Sequence, residues 1–241
     1  MRFSTAIHDL RVSGGKATED SIVRLREILR VPLTVHLVFD APLSSQPSLR
    51  GVLRDGAGAG HLELVFHGLT HACPAGVGRF TSFYHKGQAE YLFDADSLRT
   101  RTREVWEEGL EGFETPIGIC PPCWMATRTN WTFLESLSPL YLETAWSLRT
   151  DARTVPSPIV SLGSPNPTEL FWLRPLGSAL RRLADLPGLG NLRVALHTCD
   201  LDRRDSMDYF VRTVSSLLDR GASPRLQREL LDGKAILPAR A

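Results

Sequence analysis

No stretch of this 241-residue chain approaches the roughly 18 consecutive apolar residues that a membrane-spanning helix needs. The first fifteen residues lack the apolar core of a secretion signal. Charge of one sign is missing too: the formal net charge is +1, which leaves no electrostatic footprint for nucleic acid or an anionic bilayer. Cysteine is scarce, at 4 residues, which excludes a disulfide scaffold and fits a reducing compartment. A cytoplasmic location is the resulting expectation, with no nucleic-acid partner and no membrane. Repeats, low-complexity tracts and Gly/Ser linkers are also absent, so one domain over 1–241 is expected. What is present is ordinary for a folded core: 42% hydrophobic and 23% charged residues.

The pattern alternates between strand and helix. Residues 3–8, 33–39, 61–66, 115–119 and 192–197 read as strands, with short ones near 140–149 and 158–162. Apolar residues at helical spacing mark 17–29, and Asp94 can cap a helix through about residue 112. Further helices are expected over 127–137, 176–186, 204–219 and 224–232. The Pro/Ser/Gly-rich segment 41–60 reads as a loop, and 72–90 as a longer functional loop. Such alternation predicts an α/β fold with a mainly parallel sheet, open or closed into a barrel, whose ligands gather at the carboxyl ends of the strands.

Polar residues stand at four of those ends. The first strand closes on His8 and Asp9. The third ends at His67, with His71 four residues on, a spacing that lets two imidazoles face one point if the chain turns helically. The strand at 115–119 runs into Cys120, Pro121, Pro122, Cys123 and Trp124, and the last strand ends at His197, with Asp200 beyond. Each has a plainer reading: Asp9 as a turn cap, His197 as a core histidine, Trp124 as packing. Together, Asp9, His67 and His71 supply one carboxylate and two imidazoles around an open position, the donor set of a catalytic zinc.

In order and spacing these motifs resemble the polysaccharide deacetylase superfamily (carbohydrate esterase family four), and more closely a bacterial deacetylase-like branch of it. Ala6-Ile7-His8-Asp9 is similar to the branch's first motif, and His67-Gly68-Leu69-Thr70-His71 to the metal-binding motif. Gly87-Gln88-Ala89-Glu90-Tyr91-Leu92 resembles a Gly/Glu segment of the branch. Gly118-Ile119-Cys120-Pro121-Pro122-Cys123-Trp124 resembles the proline-rich third motif, and Leu196-His197-Thr198-Cys199-Asp200 the last. The resemblance implies a distorted (β/α) barrel of about seven mainly parallel strands with outer helices. It implies hydrolysis of an N-acetyl amide on a sugar or related metabolite. The ligands of a divalent metal, expected to be zinc, would be Asp9, His67 and His71, with His197 as general acid. Pro122, Trp124 and Tyr84 are the expected substrate contacts.

The chain departs from the family at two places. Where well-studied members carry a catalytic Asp before the metal-binding one, this chain has His8, so the base is His8 or Glu90. Where they carry an Arg that orients the base, this chain has Cys120. Two other classes stay open at this point. Cys120 and Cys123 have the C-x-x-C spacing of thiol redox proteins, and Trp124, Tyr84 and Phe83 could serve a barrel that binds a carbohydrate without turnover.

Overall fold

In a computed structural model of the chain, residues 1–72, 89–109, 117–161 and 190–232 are described. Ten strands form one sheet in the order β7-β6-β5-β4-β3-β2-β1-β9-β8, with β10 pairing on β1. The strands are β1 (Arg2–Arg11), β2 (Leu33–Val38), β3 (Leu62–Phe66), β4 (Gly118–Ile119), β5 (Leu142–Glu143), β6 (Ser147–Arg149), β7 (Thr154–Pro156), β8 (Ile159–Ser161), β9 (Asn191–His197) and β10 (Ser223–Pro224). From β5 across to β8 the pairing is parallel throughout, a run of seven strands; only β6 and β7 add antiparallel pairs. The two edges of that run meet. Ile159 N–H donates to Ala145 O at 3.0 Å and Ser157 N–H to Trp146 O at 2.9 Å, which ties β8 to the turn after β5. The expected α/β architecture, a distorted barrel of mainly parallel strands, is the one observed.

Alternation along the strands decides what the two faces hold. Phe3, Ile7, Leu33, Val35, Leu37, Leu62, Leu64, Phe66, Leu192, Val194 and Leu196 point outward into the apolar layer beneath the helices. That layer is completed by α1 (Lys16–Leu29) through Ile22 and Leu25, and by α5 (Arg204–Asp219) through Phe210 and Val214. The intervening residues face the barrel interior and are largely polar: Ser4, His8, Thr34, His36, Glu63 and Arg193 are all buried. A barrel interior usually fills with branched apolar side chains; this one carries several buried polar and charged ones.

Segment 41–60 is corrected by the structure: it contains α2 (Pro47–Gly58). Pro47 sits in the first turn, where its missing N–H costs nothing, and Leu49 and Leu53 bury one face. Gly56 lets the helix lie directly on Leu62 of β3, since any Cβ there would collide with that side chain. The helix expected from Asp94 begins instead at Asp96, as α3 (Asp96–Gly109). Thr127 caps α4 (Arg128–Ser136) by accepting the Asn130 N–H, and the last helix shortens to α6 (Gln227–Leu230). The helix expected near 176–186 and nearly all of the 72–90 loop lie outside the described residues.

Candidate active site

The carboxyl ends of β1, β3, β4 and β9 form one rim, as parallel pairing requires. Asp9 reaches it through a bulge. The β1–β2 register slips between Ile7 and Leu10, and Asp9 takes φ +63°. Bulges commonly re-aim a side chain beside an active site. His71, at φ +54°, is likewise held in the left-handed region, as are Cys123 and Trp124. Strain of this kind concentrates where the surrounding structure must fix a side chain.

His67 Nδ1–H donates to Cys120 O at 2.8 Å, which orients the ring so that Nε2 faces Asp9 and His71. His67 Nε2 lies 3.2 Å from Asp9 Oδ1 and 3.2 Å from His71 Nε2, and His71 Nε2 lies 3.1 Å from Asp9 Oδ1. Three donor atoms therefore make a nearly equilateral triangle. Ligand atoms about 2.0–2.1 Å from a common centre stand roughly 2.8–3.0 Å apart across octahedral angles and roughly 3.3–3.4 Å across tetrahedral ones. The residues fit a divalent cation in spacing and donor type. Burial works to raise the Asp9 carboxyl, but hydrogen bonds to His67 and His71 outweigh it and hold the group well below the usual carboxylate range.

Glu90 does not stand free at this centre. Its carboxylate accepts from Leu69 N–H at 2.6 Å, Thr70 N–H at 3.0 Å and the Thr70 hydroxyl at 2.6 Å. Both oxygens are engaged in shaping the loop between His67 and His71. Gly68, at φ +88°, makes that contact possible, because a Cβ would strike Glu90 Oε1 and come within 3.0 Å of Pro122 Cγ. Gly68→Ala is accordingly expected to destabilise the fold by roughly 1–3 kcal/mol and to weaken metal retention. Urea melts with metal analysis of the same samples check both.

His8 lies at the middle of a ring cluster. It stacks on His36 at 3.7 Å between centroids and 13° between planes, with His67 at 5.1 Å and both Trp124 and His197 at 5.4 Å. Burial pushes its imidazole well below the ordinary value, helped by His36, His67 and His197, which keeps it neutral. His197 is half-buried on the rim, its Nδ1 3.3 Å from Ser161 Oγ. Trp124 is pinned by its indole N–H, which donates to Glu143 Oε1 at 3.2 Å, and Pro122 is buried against Gly68. Asp200 turns away from the centre to accept from Ser206 at 3.1 Å. Tyr84 and Phe83 lie outside the described residues. The Cys120 thiol is fully buried and pushed well above its usual range, the opposite of an activated redox thiol.

Three residues with a part in this cluster escape the motif reading: His36, Glu143 and Arg193. His36 Nε2 and Glu143 Oε2 are 2.7 Å apart, and the Arg193 guanidinium pairs with Glu143 Oε1, all three fully buried. The signal available was a charged residue at an inward position of an apolar strand, as in Asn191–His197.

The fold is similar to that of solved structures of carbohydrate esterase family four (CE4) proteins. Similar solved structures include a peptidoglycan N-acetylglucosamine deacetylase complexed with 4-naphthalen-1-yl-N-oxidanyl-benzamide (13% identity, 97% of this chain and 90% of that one, TM-score 0.50). A CE4 esterase from Streptococcus mutans is similar as well (12%, 93% and 84%, TM-score 0.51). So is a CE4 family pseudoenzyme from Bacillus anthracis (12%, 98% and 66%, TM-score 0.52). At these identities the likeness is one of fold. No protein-family model matches the chain, and neither does any curated protein.

Proposed function

We propose that this chain is a metal-dependent hydrolase that removes the acetyl group from an N-acetylated sugar or related metabolite, and that residues 1–241 act as one catalytic domain. The observation that carries the reading is the triangle of Asp9, His67 and His71, with edges of 3.1–3.2 Å, beside the imidazoles of His8 and His197. A divalent ion, zinc by donor type, would supply carbonyl polarisation and a lowered water pKa there.

The chain's own residues supply the proton handling. His8 is the candidate to accept a proton from the attacking water, since neither of its ring nitrogens has a partner among the described residues. His197 would donate to the departing amine, which leaves poorly without a proton. Pro122 and Trp124 would form a substrate wall, held by Gly68 and Glu143. Glu90 acts as a positioning residue for the metal loop rather than as the base. No described helix is long and apolar enough to cross a membrane.

Binding without turnover is a second reading, favoured by one observation: His8 is 1% exposed, poorly placed to meet an incoming water. Acetate release from N-acetylglucosamine oligomers separates the two. The hydrolase reading expects zinc-dependent release that disappears in His197→Ala while bound zinc is retained, and loss of both zinc and release in His71→Ala. Zinc and oligomer binding with no acetate formed would leave only the second reading.

A further inference from the structure

Below the rim, His8, His36 and Cys120 each present a ligand atom, and the three atoms lie within 4.8 Å of one another. All three residues are fully or almost fully buried. We propose that they form a second, inner metal site of His2Cys type for zinc, distinct from the Asp9, His67 and His71 centre. Imidazole with thiolate is a soft donor set that favours zinc or cuprous copper over magnesium or calcium.

The orientation of His36 is the main support. Glu143 is paired with the Arg193 guanidinium, both side chains fully buried. It therefore accepts the Nε2–H of His36, leaving Nδ1 as a buried lone pair with no partner among the described residues. A ligating histidine is commonly set in this manner, its other nitrogen donating to a carboxylate. His8 contributes two more unpartnered nitrogens, and no hydrogen bond among the described residues fixes its ring. Among the described residues Cys120 Sγ makes one weak hydrogen-bond contact, 3.7 Å to Pro121 O. On binding, its proton leaves to solvent as the sulfur–metal bond forms. The two departures from the family pattern, His8 and Cys120, thus meet in one donor set.

On the reading of His8 as base, filling this site takes the base out of service; the test does not depend on that reading. Metal-free protein titrated with Co(II) is expected to take up two equivalents and develop a thiolate-to-cobalt charge-transfer band. Cys120→Ser should lose that band and one equivalent, and Cys120→Ala does the same if the buried serine hydroxyl harms folding. His71→Ala should keep the band and lose the other equivalent. A single equivalent in the wild type, lost in His71→Ala and without the band, overturns the inner site and leaves the outer one standing. A band that survives in Cys120→Ser or Cys120→Ala also overturns it.

Discussion

Arg193→Met is expected to cost the fold about 3–5 kcal/mol, the scale for removing one partner of a buried ion pair. Arg193 spans the barrel interior. Its guanidinium pairs with Glu143, donates through Nε to Ser157 O at 2.7 Å and through Nη2 to Thr144 O. Methionine fills much of the volume but returns none of these bonds. Glu143 would lose its guanidinium partner and keep, among the described residues, His36 and the Trp124 indole. The two stranded carbonyls belong to the segments that join β8 to the turn after β5, so barrel closure itself is weakened. Urea unfolding at neutral pH reads the loss, and pairing the change with Glu143→Gln should recover a large part of it. A cost under about 1 kcal/mol would mean the pair is replaceable by packing alone, as some buried pairs are.

That network also shows how far the sequence could be read. The outward faces of β1, β2, β3 and β9 follow an apolar alternation, so these strands and the rim they share were legible. The ends of those strands then located Asp9, His67, His71 and His197 without knowledge of distance. Segment 41–60 was misread because Gly51, Gly56 and Gly58 look like loop residues, whereas Gly56 is there for close packing on Leu62. Glu90 looked like a free acid because its partners are mostly backbone N–H groups, which no side-chain pattern reveals. His36 and Glu143 sit on β2 and β5, with β3 and β4 between them in the sheet. Only the curvature of the barrel brings them to 2.7 Å. Contacts across a closed interior depend on strand order and shear, and neither is written in local periodicity.

The other end of the barrel carries the second large expected effect. Glu63, inward on β3, accepts from the Tyr141 hydroxyl and from Arg228 N–H at 3.1 Å, which fastens α6 beneath the sheet. Burial dominates and the charge of Glu143 adds to it, so despite those donors the Glu63 carboxyl is pushed up to about 7. An ordinary glutamate in the unfolded chain ionises near 4.5. Between these values the native state binds the proton and the unfolded state does not. The group's contribution is therefore complete below pH 4.5 and is lost as pH rises through about 7. At about 1.4 kcal/mol per unit, the loss amounts to about 3 kcal/mol above neutrality. Glu63→Gln keeps a neutral acceptor for Tyr141 and cannot ionise. Its stability relative to the wild type should accordingly rise by about that amount from pH 4.5 to 8, whatever other groups do to both proteins alike. Urea midpoints measured across this range decide it, and parallel profiles for the two proteins would show that Glu63 meets water or a stronger partner than Tyr141 and Arg228.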